Sequence, residues 1–244
     1  MTIFFVALVV TFSGFINSLT GFGFIIVAVP FLVQLLSPKE AASVALVLGI
    51  ILAAVVALRE RKTIAVKITM QMFVAALFGI PIGTAMLVGV NPAAIKIIVG
   101  SIVVGVTLAL VRGLYLPPSR ELPLSLAAGF LSGILSGVSR MSGAMAVIFF
   151  MSQGWAPERV RPTIAAFNTI VSIVTLSWLL STGTIGRTEY TFAFMFLPAA
   201  VLGIAGSGFL YKKIQARHFR PLTFMLVIIA GILAIIAGIR ELIP

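Results

Sequence analysis

The chain has 244 residues, 61% of them hydrophobic and 9% charged, with a formal net charge of +11. Soluble domains carry about a quarter charged residues, so water is not the solvent of this surface. Clustered Lys and Arg on so apolar a chain (mean hydropathy +1.23) are expected to hold loops against anionic lipid headgroups, and a nucleic-acid partner is excluded.

Apolar stretches predict helices over Ile3 to Ser18, Phe24 to Leu36, Ala41 to Leu58, Ile68 to Val88 and Ala93 to Val111. They continue over Leu122 to Val138, Ala144 to Met151, Val160 to Leu180, Tyr190 to Leu210 and Leu222 to Ile239. Crossing a ~30 Å hydrocarbon layer takes ~20 helical residues. The second and seventh fall short, so each is expected to pair with the element before it as a broken or re-entrant hairpin. Met1 to Thr20 has no basic residue before its apolar run and no small-residue cleavage site after it, and reads as structure rather than as a removable signal. The fold class is therefore all-α and polytopic, with residues 1–244 forming one integral membrane domain.

A shift of roughly 120 residues aligns two halves, about 1–118 and 119–244. Ser37-Pro38-Lys39-Glu40 falls on Ala156-Pro157-Glu158-Arg159, Gly23 on Gly143 and Gly83 on Gly203. Each half reads as a hairpin followed by three spans, and an odd number of crossings turns the second half upside down. With hairpins that return, twelve basic residues collect on one side: Arg59 to Lys67, Arg112, Arg120, Arg159, Arg161 and Lys212 to Arg220. Lys39, Lys96, Arg140, Arg187 and Arg240 fall on the other. The positive-inside rule then puts both termini outside and His218 in a basic cytoplasmic loop.

The hairpin tips, Gly21-Phe22-Gly23 and Ser139-Arg140-Met141-Ser142-Gly143, are expected to interrupt the helix and free backbone N–H groups. A half-helix that follows aims its positive dipole end at whatever fills the space, which favours an anion. Asn17, Thr20, Gly21 and Gly23 in the first hairpin and Ser136, Ser139, Arg140, Ser142 and Gly143 in the second are the candidate substrate contacts. Gln71 and Asn168 join them as polar residues inside apolar runs. Gly129, Gly133 and Gly137, four residues apart, instead predict a bare helix face for close packing.

All six acidic residues are Glu, and each sits in a predicted connection, which disfavours coupling through a midplane carboxylate. Glu40 and Glu158 read as helix N-terminal dipole partners. Without cysteine, a histidine beside the hairpin serines or a metal-ligand pair, the chain offers no enzyme site, cofactor or metal centre.

Gly14-Phe15 through Gly21-Phe22-Gly23 with Pro30-Phe31-Leu32, and Gly129-Phe130-Leu131-Ser132-Gly133 through Ser142-Gly143, resemble the paired glycine-rich signatures of the sulfite exporter TauE/SafE family. The resemblance covers nearly the whole chain; Phe24 and Arg140-Met141-Ser142 depart from the family's glycine runs. It implies a permease of the bacterial inner membrane moving sulfite, organosulfonates or related small anions, commonly outward. The expected partners are that anion and membrane lipid, with a homodimer left open. A membrane scaffold or assembly factor is the rival expectation, and it offers no reason for two broken hairpins.

Overall fold

The computed structural model describes residues 2–20, 23–36, 38–89, 91–112, 121–139, 142–183, 187–211 and 216–242. Among these residues the secondary structure is helical throughout: α1 (Thr2–Thr20), α2 (Gly23–Leu35), α3 (Pro38–Arg59), α4 (Val66–Gly89), α5 (Pro92–Val111) and α6 (Glu121–Ser139). The series continues with α7 (Gly143–Ser152), α8 (Pro157–Ser181), α9 (Arg187–Phe194), α10 (Leu197–Tyr211) and α11 (Ala216–Leu242), and a 3₁₀ turn, Arg61–Thr63, links α3 to α4. A helix bonds its own backbone internally, which is what an apolar solvent demands.

Proline sets several boundaries that apolarity alone misplaces. α3, α5 and α8 begin at Pro38, Pro92 and Pro157, one to three residues before the expected starts, because the first helical position needs no N–H. Glu40 and Glu158 lie in first turns, as their dipole role requires. The expected single span from Tyr190 to Leu210 is two helices. Pro198 cannot donate to the Phe194 carbonyl, so the chain closes tight turns there: Met195 N–H donates to the Phe192 carbonyl and Phe196 N–H to the Ala193 carbonyl, both at 3.2 Å. α11 begins before the expected Leu222 and carries Pro221 inside it, so His218 and Arg220 belong to its first turns rather than to a loop.

α2, with 13 residues, is about 20 Å long, and α7, with 10, about 15 Å, both short of a bilayer core. By contrast Val66–Met86, Glu121–Val138 and Glu158–Ser181 are long and apolar enough to cross one. Ile3, Phe4, Phe5, Leu8, Phe78 and Leu202 are exposed, an apolar exterior of the kind lipid covers.

The principal packing partners are α4 with α6, α1 with α10, α5 with α11, and α3 with α8, while α2 lies on α1 and α3 and α7 on α6 and α8. Match the elements in order, α1 with α6, α2 with α7, α3 with α8, α4 with α10 and α5 with α11. Each of these principal contacts then maps onto another of them or onto itself. Two apolar clusters follow the same division: one gathers Met72, Phe149, Phe150 and Phe167 around α7, the other Phe24, Leu32, Leu48 and Phe196 around α2.

The seams owe their closeness to glycine. A Cβ on Gly129, Gly133 or Gly137 would strike the carbonyl of Met72, Ala76 or Ile80, and one on Gly79 or Gly83 the carbonyl of Phe130 or Ile134. The glycine face of α6 is therefore a packing face against α4, as its spacing predicts. Gly14 and Gly203 make the corresponding approach between α1 and α10.

Candidate functional site

α8 is the helix on which both hairpins converge. Arg161, Asn168 and Thr175 repeat at seven-residue intervals and so share one face of it, with Ser172 a turn from Asn168. All four are buried. Successive members of the heptad stand about 10.5 Å apart along the axis.

The second hairpin meets the upper part of this stripe with neutral groups. Ser142 Oγ donates to Asn168 Oδ1 at 3.1 Å, and Ser136 Oγ lies 2.7 Å from Thr175 Oγ1. Thr175 Oγ1 also reaches the Val171 carbonyl at 2.9 Å, so this pair belongs to a chain of bonded hydroxyls. Ser142 stands at the N-cap of α7 but makes no side-chain cap bond to it. Its proton goes to α8, and the first N–H groups of α7 keep their outward dipole without a serine cap.

The first hairpin is organised differently. Asn17, 2% exposed near the end of α1, accepts a 3.4 Å bond at Oδ1 from the backbone N–H of Phe24, and so caps α2 across the tip. Its Nδ2 is buried with no hydrogen-bond partner among the described residues. Ser13, a turn earlier, and Ser132, a turn before Ser136, are likewise buried with hydroxyls that lack a partner there. Leaving a buried donor unsatisfied costs ~1–3 kcal/mol, so such groups call for an explanation.

The lower end of the stripe is charged. Arg161 donates through Nη1 to Glu60 Oε1 and through Nη2 to the Ser18 carbonyl. That carbonyl is among the last four of α1, which have no partner within the helix. Nearby, the Ala65 N–H donates to Thr163 Oγ1 at 3.1 Å and fixes the α3–α4 connection beside the start of α8. Arg161 is the one ionisable side chain buried among the described residues. This corrects its reading as a loop charge at the headgroups: a helix that starts at Pro157 carries its fifth residue inward. Arg159, two residues before, does face outward, with its guanidinium 4.0 Å over the Trp155 ring.

Of the expected contacts, Asn17, Ser136, Ser142, Gly143 and Asn168 thus lie at the hairpins or opposite them on α8. Gly23 and Gly143 open the two short helices, and Thr20 and Ser139 close the helices before them. Gly21 and Arg140 lie outside the described residues. Gln71 is elsewhere, in the α4–α6 seam, where Ser125 Oγ approaches its Oε1 at 3.4 Å. Sequence reasoning overlooked Arg161, Glu60 and Thr175, although the 161, 168, 175 spacing was there to be read.

The whole-chain comparison is decisive about the family. The sulfite exporter TauE/SafE model matches residues 6–234. The chain belongs to that family. It is accordingly a membrane transporter of the sulfite-exporter class, and the exposed phenylalanines and leucines face lipid. Neither the curated proteins nor the solved structures yield a match.

Proposed function

We propose that the protein carries a small sulfur oxyanion or sulfonate outward across the bacterial inner membrane by alternating access, with the buried polar face of α8 as its path and the two hairpins as its gates. The observation that carries this reading is the single face of α8 that meets Ser142 and Ser136 from one hairpin and the Ser18 carbonyl of the other.

The reciprocal packing of the two halves supports an inverted repeat, the architecture in which one half rocks against the other around a shared site. Removing Arg161 from the twelve basic residues of the more basic side leaves eleven against five, so the charge balance still favours termini on the outside. Each glutamate among the described residues lies near a helix end or just beyond one, which fits transport without a midplane carboxylate relay. Export needs none: one negative charge moving outward through ~100 mV releases about 2.3 kcal/mol, a gradient of roughly 50-fold.

The test is radiolabelled sulfite flux in proteoliposomes under an imposed potential. Saturable flux that accelerates when the anion moves toward the positive side is expected, and flux no greater than that of empty liposomes would reject the reading.

A further inference from the structure

An arginine buried beside a carboxylate carries a large desolvation cost, and a cation in the first turns of α8 also faces the positive end of that helix's dipole. Neither favours Arg161 as a device for stability alone. Its partners are a carbonyl at the end of α1, before the first hairpin's tip, and Glu60, whose side chain is 27% exposed in the short link after α3. Glu60 can leave toward water; Arg161, at 6%, cannot.

A guanidinium presents a planar fork of donors that matches a carboxylate and, equally, a tetrahedral or pyramidal oxyanion with two free oxygens. Arg161 also stands in line with Asn168 and Thr175, about two helical turns from the neutral donors. Arg161 and Glu60 lie at the more basic, cytoplasmic end of this face, so an anion bound for export meets the guanidinium first, where the Glu60 carboxylate occupies the same donors.

On the transporter reading above, we propose that Arg161 is the entry binding station for the transported oxyanion and that Glu60 is its resident competitor. Glu60 and the anion exclude one another on the guanidinium. With Glu60 engaged, Arg161 clamps the Ser18 carbonyl and holds the first hairpin shut against α8. Arrival of the anion displaces Glu60, and the anion passes on along the α8 face toward Asn168 as Glu60 returns. The exchange supplies loading at this end and onward release without any carboxylate at mid-depth.

Equilibrium binding of radiolabelled sulfite to the purified protein tests this through Glu60→Gln, which keeps an acceptor for Arg161 but removes the competing charge. Glu60→Gln is expected to bind sulfite about tenfold more tightly, Arg161→Lys several-fold more weakly, and Arg161→Gln not measurably. Because Arg161→Gln can fail to fold, Glu60→Gln and Arg161→Lys carry the decision, each checked for monodispersity. The natural absence of cysteine allows a second readout without anion: Ser18→Cys is expected to react with maleimide faster when Glu60→Gln is also present. Unchanged affinity and unchanged labelling in Glu60→Gln would overturn the competition while leaving a sulfite-transporting wild type intact. Absence of sulfite binding and flux in every form would overturn both this inference and the transporter reading.

Discussion

The two hairpins share one backbone plan and divide the chemistry unequally. In the first, α2 is capped by Asn17 and exposes Phe31, and the end of α1 is tied to a charged pair. In the second, Met145 to Met151 of α7 are all buried, and the tip is tied to α8 by neutral hydroxyls. The helices that face these tips differ in the same sense. A shift of 119 residues places Gly49, Ala53 and Val56 of α3 on Asn168, Ser172 and Thr175 of α8. In this alignment α3 carries small apolar residues at the positions where α8 carries polar ones.

The largest expected effect concerns the seams that carry the hairpins. Gly133→Ala puts a methyl group against the backbone of Ala76, which cannot yield, whereas the Cβ of Gly14→Ala would lie 3.1 Å from the Ala200 carbonyl. Thermal unfolding in detergent is expected to show a loss of about 3 kcal/mol for the first and about 1 kcal/mol for the second. Equal losses would mean that Gly14 is packed as tightly as Gly133.

The helical pattern, the two short hairpin helices and the packing role of the α6 glycines were legible in the sequence because apolarity and small-residue spacing act locally. The α9–α10 break and the early helix starts were less so, since proline decides them by a missing N–H rather than by hydropathy. Arg161 was misread for a different reason. Its burial depends on Glu60 and Ser18, 101 and 143 residues away, and no local pattern reports a partner at that separation.

Next in size is the contrast between the central helices. Thr175→Val keeps the shape but removes the hydroxyl that bonds Ser136 at 2.7 Å, and is expected to cost about 1.5 kcal/mol. Val56→Thr, the reverse change at the matching position of α3, is expected to cost about 1 kcal/mol or less, because a threonine in a helix can bond the carbonyl one turn back. A larger loss at Val56 would contradict the assignment of polar chemistry to α8.

The smallest effects belong to the first tip. Asn17→Ala removes the cap on Phe24 and is expected to lower stability by about 1 kcal/mol. Asn17→Ser keeps a neutral oxygen acceptor and should cost less than Asn17→Ala, yet it deletes the Nδ2 donor, so sulfite flux should fall while the melting temperature holds. A fall in stability with flux intact would make Asn17 a cap and nothing more.

The account turns on whether an anion travels along the α8 face between the hairpins. Initial rates of radiolabelled sulfite flux from proteoliposomes containing Asn168→Leu or Gln71→Leu decide it, since both replace a polar residue inside the bundle but only Asn168 meets a hairpin tip. The account predicts a loss of tenfold or more, about 1.4 kcal/mol, for Asn168→Leu and a change within about twofold for Gln71→Leu. Equal rates in the two variants, or a larger loss at Gln71, would contradict it.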